Sequence, residues 1–230
     1  PTASINPLSP TFEGFDALIY DSEEVDGFEI GLKSNLLNNN MRLNATYYKY
    51  EYTDLQVQLF DAAIIQFSTF NAGAVETEGF EADLLWYTDI PGLSLRGQFA
   101  WTDATNTGDF ITPGGENLKG SKRSYSPEIA GSFGLSYDSG LSNGWRYNIS
   151  TDARYSDEYG WGTYIDSPMQ DSFWINDVAL SLYSEDGKHS FNLIGRNLGD
   201  EIVIITGGAI PGRISTQTGT SALIQDQAVT

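Results

Sequence analysis

Between Leu93 and Ser156 the chain alternates apolar and polar residues with a period of two. Leu93, Leu95, Gly97, Phe99 and Trp101 fall in one phase, and Ser94, Arg96, Gln98, Ala100 and Thr102 in the other. Successive side chains of a strand point to opposite faces, so the pattern predicts a strand with one apolar and one wet face. Ile129, Gly131, Phe133, Leu135 and Tyr137 repeat the apolar phase, as do Trp145, Tyr147, Ile149, Thr151, Ala153 and Tyr155. A slip of one residue would exchange the two faces, so the register is strongly specified.

Short polar turns separate these segments at nearly even intervals: Asn38-Asn39-Asn40, Asp89-Ile90-Pro91-Gly92, Ser139 to Gly144, and Glu185-Asp186-Gly187. The interval is about fifty residues, roughly two long strands and one long loop. Short connections at one end of a sheet then alternate with long ones at the other, which is the plan of a transmembrane β-barrel. Leu93 to Trp101 spans roughly 26 Å of strand, and a tilt near 40° leaves roughly 20 Å of height, close to the apolar band of such a barrel. Trp86, Trp101, Trp145, Tyr155, Trp174 and Tyr183 lie near the ends of apolar faces. Interfacial girdles require aromatics there, although aromatics of an ordinary core would give the same pattern.

The pattern predicts eight strands. Residues 1–22 carry Pro1, Pro7 and Pro10 and read as an irregular lead-in, followed by a strand from Glu24 to Leu36 and a second from Met41 to Phe60. Lys49 and Glu51 interrupt the apolar phase of the second strand, marking an exit from the apolar layer. A loop from Asp61 to Phe70 leads to a third strand ending at Tyr87, and the fourth is followed by a glycine-rich polar loop from Asn106 to Arg123. The sixth strand precedes a loop from Asp157 to Pro168, the seventh runs from Gln170 to Ser184, and residues 201–230 read as a loop and tail.

Composition narrows the setting. Thirty-one acidic against 12 basic residues give a net charge of −19, which argues against nucleic acid or anionic lipid held by simple electrostatics. There is no cysteine, and the single histidine, His189, sits beside a turn, so thiol chemistry is excluded and no metal site or catalytic machinery is apparent. No run of 18 apolar residues occurs, hence no transmembrane helix is predicted. The mean hydropathy below zero suits a barrel with a polar interior.

Five segments then stand out in order. They are Glu23-Glu24-Val25-x-x-Phe28-Glu29-x-Gly31-x-Lys33, Tyr52-x-Asp54-Leu55-Gln56, Asn71-Ala72-Gly73, Glu78-Gly79-Phe80-Glu81 and Gly195-Arg196-Asn197-Leu198. Together they resemble the C-terminal barrel of TonB-dependent outer-membrane receptors over nearly the whole chain. The resemblance implies an all-β fold, with about eight long antiparallel strands forming an open, curved portion of a transmembrane barrel of about 22 strands. It further implies localisation in the bacterial outer membrane and import of a scarce nutrient such as a ferric siderophore, a vitamin or a glycan. The implied partners are outer-membrane lipid and lipopolysaccharide, an N-terminal plug inside the barrel, and the TonB complex that supplies energy. Residues 1–230 hold no segment resembling the plug, the energy-coupling box or a signal peptide, and no closing strand follows Gly195-Arg196-Asn197-Leu198. The chain is therefore expected to be a fragment lacking the plug and the last strand, with no cofactor and no enzymatic activity.

Candidate functional residues follow from the two phases. Glu29, Lys33, Arg42, Glu81, Asp83, Arg96, Arg146, Arg154 and Arg196 fall opposite the apolar stripe and are expected to face the lumen. There they brace a hydrated wall by cross-strand pairing, or some of them grip the plug. In the long loops, Tyr155, Tyr159, Trp161 and Tyr164 cluster with Asp157, Glu158 and Asp166. Such aromatics stack on planar or sugar-like ligands, or anchor the rim in the membrane interface. A passive porin would share this architecture without a plug, and a soluble β-structured surface protein would share the alternation without needing detergent.

Overall fold

The computed structural model describes residues 20–61, 66–71, 73–111, 115–160 and 169–204. In chain order the strands are β1 (Glu24–Leu36), β2 (Met41–Thr53), β3 (Gln56–Asp61), β4 (Gln66–Asn71), β5 (Ala74–Tyr87) and β6 (Leu93–Asn106). They continue with β7 (Ile129–Gly140), β8 (Arg146–Ser156), β9 (Tyr159–Gly160), β10 (Met169–Gln170), β11 (Phe173–Tyr183) and β12 (Ser190–Gly195). Eight of them form one sheet in the order β1-β2-β5-β6-β7-β8-β11-β12, and every neighbouring pair is antiparallel. The sheet is open, since β1 and β12 each pair on one side only.

The short turns close by local chemistry. Asn38 and Asn39 carry positive φ angles of 56 and 70° between β1 and β2, a conformation that asparagine tolerates better than most residues. Between β5 and β6, Leu93 N–H donates to Ile90 O at 3.0 Å around Pro91-Gly92. Proline supplies the fixed φ of the first central position, and Gly92 supplies φ +83° at the second. Gly92 is also constrained from outside, because a Cβ there would overlap the carbonyl oxygen of Asp138.

The apolar face runs across strands in level rows. Tyr47, Phe80, Trp101 and Ile129 lie opposite one another across β2, β5, β6 and β7. One pleat toward the long loops the row becomes Lys49, Glu78 and Asp103. Lys49 Nζ lies 3.0 Å from Glu76 and 3.5 Å from Glu78, and Asp103 pairs with Lys122 at 2.8 Å. The interruption expected at Lys49 and Glu51 is thus a charged border that continues onto neighbouring strands. Below it the face is bare: Ile30 is 68% exposed and Leu193 72%. Among the described residues the buried apolar side chains are Val75, Ala104, Phe110 and Leu118, all toward the long-loop end. Among the described residues the sheet buries few apolar side chains, so its apolar face is left for an apolar partner or medium to cover.

Four expectations need correction. The second strand does not reach Phe60: β2 ends at Thr53, Asp54 takes a φ of 54°, and β3 starts at Gln56 in a separate two-stranded sheet with β4. Thr53 and Ala74 form the last pair of β2 with β5, so Leu55 and Val57 do not extend the apolar face, and much of the expected 61–70 loop is a returning strand. The seventh strand likewise starts at Phe173, because Met169 and Gln170 pair with Gly160 and Tyr159 instead. Tyr183 lies opposite Arg146 and hence on the polar face, not among the apolar-face aromatics.

Candidate functional site

The polar face carries a lattice of charges. Arg42 approaches Asp83 at 3.8 Å, and Asn44 Nδ2 donates to the same carboxylate at 3.0 and 3.1 Å. Arg96 donates to Asp152 at 3.0 Å, while Arg154 lies 3.7 Å from Asp152 and donates to Asp177 at 2.8 Å. Asp177 also accepts the backbone N–H of Asn197 at 2.8 Å, tying the Gly195-Arg196-Asn197-Leu198 segment to the lattice. Arg42, Asp83, Arg96, Gln98, Asp152 and Arg154 line one open groove of about 600 Å³. Counting Asp177, which pairs with Arg154 beside the groove, three guanidiniums face three carboxylates, so the lattice is polar but nearly neutral. Each pair is partly exposed and contributes some tenths of a kcal/mol, up to about 1 kcal/mol.

Glycine lets these side chains reach farther than the neighbouring strand. Arg96 of β6 lies opposite Gly134 of β7, which lies opposite Asp152 of β8. A Cβ on Gly134 would come within 2.7 Å of the Arg96 guanidinium carbon, so the missing side chain is the space through which Arg96 crosses β7. The same device recurs higher on the wall. Tyr48 of β2 crosses Gly79 of β5 to bring its hydroxyl within 3.1 Å of Thr102 Oγ1 on β6. A Cβ on Gly79 would meet the Tyr48 ring and stand 2.6 Å from Trp101 O.

Tyr48 begins a row that sequence reading passed over. The Tyr48 and Tyr50 rings stack at 5.7 Å, and Tyr50 and Tyr52 follow at 6.3 Å. The Tyr50 hydroxyl donates to Glu29. The signal was present: these tyrosines occupy the phase opposite Tyr47, Lys49 and Glu51, and alternation alone puts them on the polar face.

The other expected polar-face residues are placed as follows. Lys33 lies opposite Asn44 and Glu81 opposite Thr46, with neither in an ion pair among the described residues. Arg146 pairs with Asp138 near the short-turn end, and Arg196 follows the last residue of β12. The expected loop aromatics are divided. Tyr155 lies on the apolar face, its ring 5.0 Å from Trp174, with its hydroxyl 3.4 Å from Asp157 Oδ1. Tyr159 packs against Tyr125 at 6.2 Å and donates to Ile204 O at 3.4 Å. Burial and then the neighbouring Tyr125 push the Tyr159 hydroxyl pKa up. Trp161, Tyr164 and Asp166 lie outside the described residues. Among the described residues no group of three or more His, Cys, Asp or Glu side chains is arranged to hold a metal ion.

An open antiparallel sheet with long strands, one bare apolar face and one ion-paired polar face is a section of wall from a large β-barrel. Residues 3–198 match the family described as TonB dependent receptor-like, beta-barrel, and the chain belongs to that family. No curated protein matches the chain in sequence. Among solved structures it is similar to the ferric yersiniabactin uptake receptor FyuA from Yersinia pestis, at 16% identity with a TM-score of 0.69, covering 89% of this chain and 28% of that one. It is similar to the siderophore receptor PiuA from Acinetobacter baumannii at 21% identity and TM-score 0.63, covering 79% of this chain and 25% of that one. The ferric-catecholate import receptor Fiu from K12 E. coli gives 20% identity and TM-score 0.59, with 80% and 24% covered. At these identities the likeness shows a shared fold, an open, curved antiparallel wall, and the chain spans about a quarter of each receptor's length.

Proposed function

We propose that this chain is part of the barrel wall of an outer-membrane receptor that imports a scarce nutrient, with energy from the TonB complex. The observation that carries the reading is the two-faced sheet of a chain in this family: a bare apolar face bordered by charge, backed by a neutral polar lattice. The apolar face suits outer-membrane lipid, and the charged border suits the headgroups and lipopolysaccharide above it. A ferric siderophore is the favoured cargo class, because the similar receptors named above take up such compounds.

In this reading Arg42, Asp83, Arg96 and Arg154 face the lumen and an N-terminal plug. A neutral lattice presents donors and acceptors to such a plug without repelling it through net charge. Glu81, in no ion pair among the described residues, is a further plug contact on the same face. The tyrosine row and Tyr159 stand toward the long loops, where an incoming ligand arrives. Stacked phenol rings bind planar aromatic groups and tolerate variation in them.

The test is uptake of radiolabelled ferric siderophores by cells producing the full-length protein, with and without TonB. Uptake that needs both supports the proposal; uptake that persists without TonB favours a passive porin. A monodisperse protein in detergent-free buffer would overturn the membrane assignment altogether. The Glu81→Gln, Arg96→Gln double variant is expected to assemble normally and to transport at least about tenfold more slowly; unchanged transport removes these residues from plug contact.

A further inference from the structure

The geometry points to Asn71 and Gly73 as positioning residues that couple the segment leading into β1, the β3–β4 hairpin and the β6–β7 loop into one unit. The inference rests on contacts between the loops and does not depend on which nutrient is carried.

Asn71 ends β4, and its side-chain amide behaves like a piece of backbone. Its Oδ1 accepts the N–H of Asp21 at 2.7 Å, and its Nδ2 donates to Asp21 O at 3.0 Å and to Asp54 O at 2.5 Å. Gln56, the cross-strand partner of Asn71 in the β3–β4 hairpin, adds two more ties. Its N–H donates to Glu23 Oε1 at 2.8 Å and its Nε2 to Asp21 O at 3.1 Å. The foot of the hairpin is therefore fastened to the segment that leads into β1.

The opposite side of the hairpin faces the loop between β6 and β7. Adjacent residues of a strand point to opposite faces, and Val57, next to Gln56, packs against the buried pair Phe110 and Leu118. Gly73 completes this second attachment. At φ +66° it turns the chain from the hairpin into β5, and the Gly108 backbone lies 3.5 Å from where a Gly73 Cβ would stand. A Cβ on Gly108 would in turn overlap Ala74 N. The close approach lets Thr107 and Gly108 N–H groups both donate to Ala74 O, at 2.8 and 3.1 Å. One short hairpin thus holds the preceding segment by hydrogen bonds and the following loop by apolar and backbone contact. A contiguous path of hydrogen-bonded and packed groups therefore joins the two sides, and displacement of one loop reaches the other along it.

Hydrogen exchange on the full-length protein in detergent micelles tests the coupling. Asn71→Leu is expected to speed exchange about tenfold at the amides of Thr107, Gly108 and Leu118, none of which Asn71 touches. Phe110→Ala is expected to do the same at Asp21 and Gln56, because coupling between two sites is reciprocal. Amides of Leu95 to Phe99 in β6 should exchange as before in both variants. Acceleration confined to each variant's direct contacts, or running in one direction only, overturns the inference. So does equal acceleration in β6, which would mean that both residues merely support the barrel.

Discussion

Arg96 reaches Asp152 at 3.0 Å across an entire intervening strand, and it does so over Gly134. The contact depends on a side chain that is absent. Gly134→Ala is expected to displace the guanidinium and abolish the coupling between Arg96 and Asp152. In a double-mutant cycle of Arg96→Ala and Asp152→Ala, unfolding of the full-length barrel should give some tenths of a kcal/mol in the parent and none in the Gly134→Ala background. An unchanged coupling energy would show that the guanidinium has another route.

Gly79 and Gly97 separate the two uses of glycine in this sheet. A Cβ on Gly79 would strike the Tyr48 ring and Trp101 O, whereas one on Gly97 would meet only Ser132 O and the Leu84 Cβ, at 3.8 and 3.9 Å. Gly79→Ala is expected to cost about 1–3 kcal/mol of overpacking, and Gly97→Ala less than about 0.5 kcal/mol. Urea unfolding of both variants checks the contrast. Equal costs would mean that Tyr48 moves aside freely.

The change from the Tyr47-Phe80-Trp101 row to the Lys49-Glu78-Asp103 row sets a depth scale on the apolar face. Ala82 lies one pleat below Phe80, opposite Ala45 and Phe99, within the apolar band. Ala82→Arg should destabilise the protein in lipid vesicles by about 2–4 kcal/mol, against about 0–1 kcal/mol for an arginine in place of Glu78 at the border. Similar penalties at both positions would remove the border as the edge of the hydrocarbon layer.

The β6–β7 loop should loosen in acid. Asp109 accepts from Asn117 Nδ2 at 3.1 Å and pairs with Lys119 at 3.1 Å. The Asn117 hydrogen bond first, then Lys119, hold its carboxyl pKa below the ordinary carboxylate value. A lowered pKa means that the tie is fully present above the ordinary carboxylate pKa and is lost as pH falls through the lower folded value. Exchange at the Lys119 amide is expected to accelerate over that acidic window, beyond the intrinsic pH dependence. Asp109→Asn should remove the extra acceleration, and an identical profile in the variant would assign it elsewhere.

Most of the sheet was legible in the chain because its determinants are local. A period of two assigns Phe99 to one face and Arg96 to the other whatever lies beside them, and Pro91-Gly92 or Asn38-Asn39 close their turns with their own backbone preferences. The ordered segments likewise pointed to the family that residues 3–198 match. What alternation could not supply was anything that depends on which residue stands opposite, or on contacts between loops. An apolar phase that resumes at Leu55 and Val57 after Lys49 and Glu51 hid the break at Asp54, because the left-handed φ there follows from where β2 stops pairing with β5. Tyr183 read as apolar until its pairing with Arg146 assigned it to the polar face. Gly134 beneath Arg96, Gly79 beneath Tyr48, and Asn71 joined to Asp21 become meaningful only once register and loop packing bring distant residues together. The sequence by itself determined strands, faces and turns, since each is decided within a few residues. Tertiary structure decided which side chains meet across the wall, since that depends on neighbours that periodicity does not name.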